Sequence, residues 1–273
     1  MSFSPVIPFS GYAGWKFLGR SMQAQQAAFA ASATHKREEA YFRQKIGSIK
    51  TAEDLVADRR LLKIALGAFG LDTDIGNRFF IRKVLEEGTL DTSDLANKLS
   101  NKSYADFSRA FGFGDYAVPR TVLSDFPDEI LAAYSQRQFE AAVGVADNSM
   151  RLALNAQREL PKLAAKTSSE MTKWFTVIGS KPLAEVVRTA FGLPASFSAS
   201  NVDAQVANLR RKSEAMFGSS DPKVFSDPAN MDKLVKMYLL RAQSLGSSAT
   251  PQSAALQLLQ SAASAQSALS IRL

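Results

Sequence analysis

The rarest side chains in this chain are the most informative about its chemistry. It holds one histidine, His35, and no cysteine. A zinc site of the H-E-x-x-H kind needs two imidazoles. A thiolate metal site, a disulfide or a cysteine nucleophile needs cysteine, so all four are excluded. His35 lies in a stretch rich in Lys, Arg and Glu without an obvious second ligand. We expect an exposed or lightly packed imidazole there, without a catalytic role.

Two short motifs partly match the sequence patterns of ligand-binding loops. Gly112-Phe113-Gly114 has two glycines but no strand before it, so a helix end and turn fits better than a phosphate-binding loop. Asp72-Thr73-Asp74-Ile75-Gly76-Asn77 begins like a calcium loop. However, Gly76 and Asn77 are in reversed order for that motif, and Lys83 stands at the twelfth position, where calcium loops carry glutamate. A capped turn is predicted instead.

Adjacent acids and aromatic–basic clusters add no site. The pairs Glu38-Glu39 and Glu86-Glu87 diverge by about 100° on a helix, so a solvated face explains both. Trp15-Lys16-Phe17 and Lys173-Trp174-Phe175 could stack on nucleic-acid bases or rest at a membrane interface. Core aromatics covered by a lysine stem are expected instead. A Ser–Lys dyad stays open, because no spacing singles one out. The sequence thus predicts no catalytic residue, no cofactor and no metal.

The length and charge of the chain limit the number of its domains and the class of its partners. The 273 residues allow one large or two small domains, and 33 basic against 26 acidic residues give a net charge of +7. The surplus is divided between the ends, with seven basic against two acidic residues in 1–50 and ten against six in 181–273. A nucleic-acid binder usually concentrates its charge on one face, so nucleic-acid binding is the weaker alternative. Neither a membrane-spanning segment nor a cleavable signal peptide is expected.

Helical periodicity dominates the chain and no alternating strand pattern is found, so the predicted class is all-α. Residues 1–14 are expected to be irregular, and one long helix follows from about Trp15 to Ile46. The longest periodic stretch runs from Phe126 to about Glu159. It predicts a single connecting helix of ~45 Å, which Pro161 ends or kinks.

Three helices are predicted to end at an Ala-Phe-Gly motif. Glycine just past the last apolar residue can adopt the left-handed conformation that closes a helix. The segment from Leu61 to Leu71 aligns at one constant offset with that from Leu183 to Leu193, which predicts a duplicated helical unit. The phenylalanines of the two copies are therefore expected to be buried at corresponding places. The three helix stops are Phe69 with Gly70, Phe111 with Gly112, and Phe191 with Gly192.

These patterns predict two related helical units joined by a long central helix, plus a C-terminal tail helix. The segments are 1–50 (irregular N-terminus and first long helix), 51–118 (first unit), 119–165 (connecting helix), 166–248 (second, related unit) and 249–273 (tail helix).

The tail differs from the body in composition. From Pro251 to Leu273 it consists almost wholly of Ala, Ser, Gln and Leu. A helix with so few large apolar residues along one face, here called the apolar seam, is only marginally stable alone. We expect it to become stable when it packs against a protein partner. The seam has coiled-coil spacing and consists of Ala255, Leu258, Ala262, Ala265 and Leu269.

A set of motifs along the chain is shared with known proteins. It comprises Asp58 to Leu71, Ile75, Phe80-Ile81, Val84-Leu85, Leu95 to Leu99 and Phe111-Gly112-Phe113, together with Gly14 to Leu18, Tyr41-Phe42, Ala190 to Leu193 and Gln205. These motifs resemble a bacterial family known only as a domain of unknown function, over roughly residues 10–245. Genes of that family often lie among flagellar genes, and its members have no assigned activity. The resemblance implies a flagellum-associated role and carries over no catalytic residue.

We therefore expect a non-enzymatic helical interaction protein that serves flagellar structure, assembly or export. Its expected partner is a protein, from among flagellar components, and not nucleic acid; homo-oligomerisation stays open. Its expected location is the cytoplasm or the bacterial flagellum. Axial flagellar proteins resemble this chain in lacking cysteine and in ending with similar tails, whereas the basic charge and Phe-rich body argue against a filament subunit. The alternative is an enzyme or regulatory module whose site is assembled from residues distant in sequence.

Overall fold

The computed structural model describes residues 3–247, and within this range the protein is all-α, without a β-strand. Short 3₁₀ turns join several of the helices. The predicted tail helix, including Ala255, Leu258, Ala262, Ala265 and Leu269, lies outside the described residues. Thirteen α-helices occur in the described range: α1 (Gly11–Ala30), α2 (Ala33–Lys45), α3 (Ala52–Ala57), α4 (Arg59–Phe69), α5 (Arg78–Glu87), α6 (Leu95–Lys98), α7 (Ser103–Phe111), α8 (Phe126–Ala146), α9 (Asn148–Ala165), α10 (Glu170–Gly179), α11 (Lys181–Ala190), α12 (Val202–Phe217) and α13 (Pro228–Ser247).

The N-terminal segment becomes helical earlier than predicted and is interrupted once. α1 begins at Gly11, so the irregular stretch is shorter than residues 1–14. The expected single helix up to Ile46 is wrong, because Ala31 and Ser32 separate α1 from α2. The Ser32 hydroxyl accepts a hydrogen bond from the backbone N–H of His35, 3.4 Å away. Serine favours this N-cap position over a helix interior, which explains the break.

Side-chain caps start α3 and α4. Thr51 and Asp54 form a capping box at α3, each accepting a hydrogen bond from the other's backbone N–H. The Asp58 carboxylate accepts hydrogen bonds from the first backbone N–H groups of α4. α4 then lies at the centre of an apolar core that extends in sequence from Phe42 to Tyr134.

The predicted connecting helix is in fact two helices. Asp147 interrupts it with an extended backbone (φ −150°, ψ 104°), and its carboxylate accepts hydrogen bonds from the N–H groups of Ser149 and Met150. Capping the second helix in this way satisfies donors that would otherwise be orphaned at the break. Pro161 does not end the second helix, because α9 continues to Ala165.

α8 and α9 form an antiparallel hairpin. Glu140 of α8 bonds to Arg158 of α9, and the Arg151 side chain lies close to Gly144 nearer the turn. The predicted ~45 Å rod is therefore a folded-back pair, and each helix contributes to a different main core.

The second main core lies between residues 152 and 239. Trp174, Phe191 and Phe225 are fully buried there, with the Trp174 ring centroid 6.4 and 6.5 Å from those of Phe191 and Phe225. Edge contacts of this kind favour aromatic packing beyond the area buried. A smaller cluster packs Leu18 of α1 on the α8–α9 hairpin. That the two cores belong to duplicated units remains a prediction.

Candidate functional site

The helix-stop glycines have the left-handed backbone expected for them. The φ angles of Gly70, Gly112 and Gly192 are 72°, 70° and 67°. After Gly70, the N–H of Leu71 bonds to a carbonyl five residues earlier, and Leu193 repeats that bond after Gly192. This pattern is the Schellman motif, which satisfies carbonyls at the end of a helix. Gly112 ends α7 differently, with a single bond to the carbonyl of Ser108.

The phenylalanines of these motifs are not equally buried. Phe111 and Phe191 are fully buried, but Phe69 is only half-buried, so its predicted burial is wrong. The Phe69 ring makes an edge contact with Phe107 (centroids 5.4 Å apart) and forms part of the wall of a central cleft. Phe69 is more accessible because polar side chains of α8 and α9 adjoin it, where Phe191 meets apolar ones.

A buried network of charges lies at the α8–α9 interface. The Glu140 carboxylate accepts two hydrogen bonds from Arg158, from Nε at 2.8 Å and from Nη2 at 2.9 Å. Arg158 also donates from Nη1 to Glu159, and Arg137 of α8 donates to the same carboxylate at 3.1 Å. The Arg158 and Glu140 side chains are 5% and 9% exposed, so this pair is shielded from water. Bidentate arginine–carboxylate pairs are the strongest of such contacts.

Burial, with help from neighbouring cations, lowers two pKa values in this network. Burial, followed by repulsion from Arg158, lowers the pKa of Arg137 to about 10. Burial, together with the nearby guanidinium groups of Arg158 and Arg137, also lowers the pKa of Lys162. In both cases the carboxylates of Glu140 and Asp106 oppose the shift, so removal from water is its main cause.

These charges border an open hollow, here named the central cleft. It consists of three adjoining parts of ≈ 320, ≈ 200 and ≈ 510 Å³, and Arg137 borders all three. The walls come from four segments that are far apart in sequence: 68–74, 100–110, 120–166 and 176–183. Nine basic and six acidic side chains line it, namely Lys102, Arg109, Arg120, Arg137, Arg151, Arg158, Lys162, Lys166 and Lys181, with Asp72, Asp74, Asp106, Glu129, Glu140 and Glu159.

This cleft was not predicted from the sequence. Its central side chains follow a helical spacing on α9, at Asn155, Arg158 and Lys162, which places them on one face. The apolar face of the same helix gave the prediction, because helical periodicity is usually identified from apolar residues. The spacing of the polar residues was the available signal, but the partner Arg137 on α8 required the hairpin to be known.

The prediction of an exposed or lightly packed His35 is wrong. Its side chain is buried, with a residual exposure of 5%. The imidazole stacks on Tyr134 (centroids 5.8 Å apart, planes inclined by 9°) and lies 4.9 Å from the Phe29 ring. Burial lowers the pKa of His35, while the carboxylates of Glu39 and Glu38 oppose the shift. The imidazole is therefore a packed side chain, held by Phe29 on the preceding helix and by Tyr134 far along the sequence.

The second aromatic–basic cluster lies largely in the core, as expected. Trp174 is fully buried and its indole N–H donates to the carbonyl of Ser220 at 2.8 Å. Lys173 is also fully buried, with its ammonium 3.6 Å from the Asp221 carboxylate. Phe175 is 40% exposed and departs from the expectation.

Several exposed apolar side chains lie on two loops that are tied together. The Asp115 carboxylate accepts hydrogen bonds from the Thr89 backbone N–H (2.5 Å) and hydroxyl (2.9 Å), which joins the loop after α5 to the loop after α7. Further along, the side chains of Tyr116 and Arg120 both lie over Gly112. Large apolar side chains on these loops are 42–73% exposed. We name them the loop patch: Leu90, Tyr116, Val118, Val122 and Leu123.

The described part of the chain has neither a cluster of metal-ligating side chains nor a membrane-spanning helix. Between residues 3 and 247, no group of three or more His, Asp or Glu side chains is arranged to hold a metal ion. Within the same residues, every helix is too short or too polar to cross a membrane.

Comparison with known proteins places the chain in a family. The model of a protein family of unknown function, DUF1217, matches residues 68–231. The crystal structure of protein AGR_C_984 from Agrobacterium tumefaciens, a structural genomics target, is similar over 88% of this chain and 97% of its own, with 28% sequence identity and a TM-score of 0.72. No curated protein sequence gives a significant match. The chain therefore belongs to the DUF1217 family of proteins of unknown function.

Proposed function

We propose that this protein is a non-enzymatic helical interaction protein, and that its partner is a component of the bacterial flagellum. The observation that carries the interaction is the loop patch. Five large apolar side chains, each at least 42% exposed, lie on two loops of one region. Exposed apolar residues scattered singly need no explanation, but a group of them marks an interaction surface.

The loops that present the loop patch are held in place. The Thr89–Asp115 bonds tie them to each other, and Thr121 at their end donates a hydrogen bond of 2.6 Å to the carbonyl of Ile49. The side chain of Thr121 is buried, so this bond anchors the loop to the first core. A preorganised apolar surface loses less conformational entropy on binding than a mobile one, which favours recognition.

The flagellar part of the proposal rests on the resemblance described above and on composition. The absence of cysteine and the Ala/Ser/Gln/Leu-rich residues 251–273 resemble axial flagellar proteins. The location proposed is accordingly the cytoplasm or the flagellum, at a stage of flagellar structure, assembly or export.

A paired substitution tests the proposal. In the full chain, Leu90→Ser with Val118→Ser is compared with Val145→Ser, a control whose side chain is 92% exposed and lies outside the loop patch. Because all three side chains point into solvent, both variants should keep the helical circular dichroism and the thermal midpoint of the wild type. We expect the double variant, and not the control, to lose capture of flagellar components and to reduce swimming motility. Unchanged capture and motility in the double variant would contradict the proposal.

The tail provides a second, separable test. Deleting residues 250–273 is expected to leave the thermal midpoint within a few degrees while abolishing partner capture, because the thin apolar seam adds little to the body. A large loss of stability with intact capture would assign the tail to the core instead.

The alternative function, an enzyme or regulatory module, has one observation in its favour. The central cleft is assembled from four segments distant in sequence and is lined by charged side chains that converge on Arg137. A concave cleft of this kind is better suited to binding a small molecule than to binding the surface of another protein.

A further inference from the structure

The charges at the centre of the central cleft are unequally paired. Three cations, Arg137, Arg158 and Lys162, lie there, and Glu140 and Glu159 are the carboxylates of the described range that form ion pairs with them. Asp106 attracts Arg137 and Lys162 electrostatically, but its own ion pair is with Arg109. The carboxylates are occupied by the two arginines, and Lys162 forms no ion pair with any residue of the described range. Within residues 3–247 the Lys162 ammonium is therefore left without an ion-pair partner. A bound anion would supply one.

Arg137 has donors to spare for such an anion. Within the part of the chain that the structure describes, one of its five N–H groups, on Nη2, is engaged, with Glu159. Its Nη1 lies beside Gly70, where a Cβ on that residue would come within 2.8 Å of it. The left-handed glycine that closes α4 therefore also makes room for the guanidinium at the cleft. A planar guanidinium with free donors is the group best suited to an oxyanion.

A polar atom elsewhere in the cleft lacks a hydrogen-bond donor within the described residues. The Oδ1 atom of Asn155 is buried and accepts no hydrogen bond in the described part of the protein. A buried acceptor without a donor is costly, and a native protein rarely leaves one without a reason. Asn155 lines the same part of the cleft as Arg137. A ligand that donates a hydroxyl to Oδ1 would satisfy it.

The separation of these groups limits the size of the ligand. Asn155 and Lys162 are seven residues apart on α9, which places their Cα atoms ~10 Å apart along one face. A single inorganic ion does not span that distance. A small molecule that carries an anionic group at one end and a hydroxyl at the other does, and the cleft volumes of ≈ 200–510 Å³ accommodate one.

We propose that the central cleft binds a small hydroxylated oxyanion, with its carboxylate or phosphate group at Arg137 and Lys162 and its hydroxyl donated to Asn155. This site is distinct from the loop patch and does not depend on the proposed interaction function.

Isothermal titration calorimetry with the full-length protein tests the proposal. Glycerate and glycerol 3-phosphate are the complete probes, and they distinguish a carboxylate from a phosphate as the anionic group. Glycerol, which lacks the anion, and inorganic phosphate, which lacks the hydroxylated arm, are the partial probes. At constant ionic strength we expect at least one complete probe to saturate, with both partial probes binding at least roughly tenfold more weakly.

Two variants and one control assign the residues. Lys162→Gln should weaken the complete probe by roughly tenfold or more, because a charge-assisted contact is lost. Asn155→Ala should bring the complete probe close to inorganic phosphate in affinity. Lys36→Gln, which removes an exposed lysine that does not line the cleft, should bind as the wild type does. The proposal is overturned if neither complete probe binds, or if Lys162→Gln binds it as tightly as the control.

Discussion

Replacing Glu140 by glutamine should destabilise the protein strongly, although the two side chains have nearly the same shape. The Glu140 carboxylate accepts two hydrogen bonds from Arg158, at 2.8 and 2.9 Å, and the two side chains are 9% and 5% exposed. Removing one partner of a buried pair leaves an uncompensated charge and costs ~3–5 kcal/mol. Glu159 still faces Arg158, so the lower end of that range, about 3 kcal/mol, applies.

The expected signal is large enough to measure by thermal or urea denaturation. For a chain of this size, 1 kcal/mol shifts the thermal midpoint by about 2–4 °C, so Glu140→Gln should lower it by roughly 6–12 °C. The matched control is Glu86→Gln, which breaks the exposed 3.5 Å pair with Arg82. That control should cost less than about 1 kcal/mol, because surface pairs contribute little.

A double variant separates loss of the pair from loss of packing. Glu140→Gln with Arg158→Met removes both charges, so the double variant should be less destabilised than the sum of the single variants. A Glu140→Gln cost no greater than that of Glu86→Gln would refute the reasoning. It would mean that the network is solvated in solution and that the charges of the central cleft are not constrained.

Three further perturbations test other parts of the structure. Gly192→Ala should lower the free energy of unfolding by ~1 kcal/mol in urea titrations, because φ is 67° there; a neutral result would show that the stop tolerates a side chain. Phe191→Ala should cost ~3–5 kcal/mol, and Phe69→Ala clearly less since its ring is half-buried; equal costs would contradict the burial difference. Burial lowers the pKa of His35, so the folded state binds its proton less readily than the unfolded state. Stability should be complete above pH 6.5 and fall as the pH drops below it, and His35→Phe should flatten that step between pH 7.5 and 5.5.

The helix ends were predictable because their causes are local. A glycine after the last apolar residue specifies a left-handed stop whatever surrounds it, and Gly70, Gly112 and Gly192 have that conformation. The break at Asp147 also had a local signal, since Asp is a favoured N-cap. It was missed because apolar residues continue with unbroken helical spacing across it, and periodicity alone does not distinguish one long helix from two stacked ones.

The burial of His35 and the existence of the central cleft were not predictable, because both depend on contacts between segments that are distant in sequence. His35 is surrounded in sequence by charged residues, yet Tyr134, 99 residues later, covers its ring. Arg137 and Lys162 meet only because α8 and α9 fold back on each other. A one-helix interpretation of the same residues puts those two side chains ~37 Å apart along the axis.

The most direct test of the proposed interaction is photo-crosslinking in the native bacterium. A photoreactive phenylalanine analogue is placed at Tyr116, within the loop patch, and at Val145 as the exposed control, and the adducts are identified by mass spectrometry. We expect a discrete adduct with a flagellar component from position 116 and none from position 145. The absence of an adduct at position 116, or the same adducts from both positions, would contradict it.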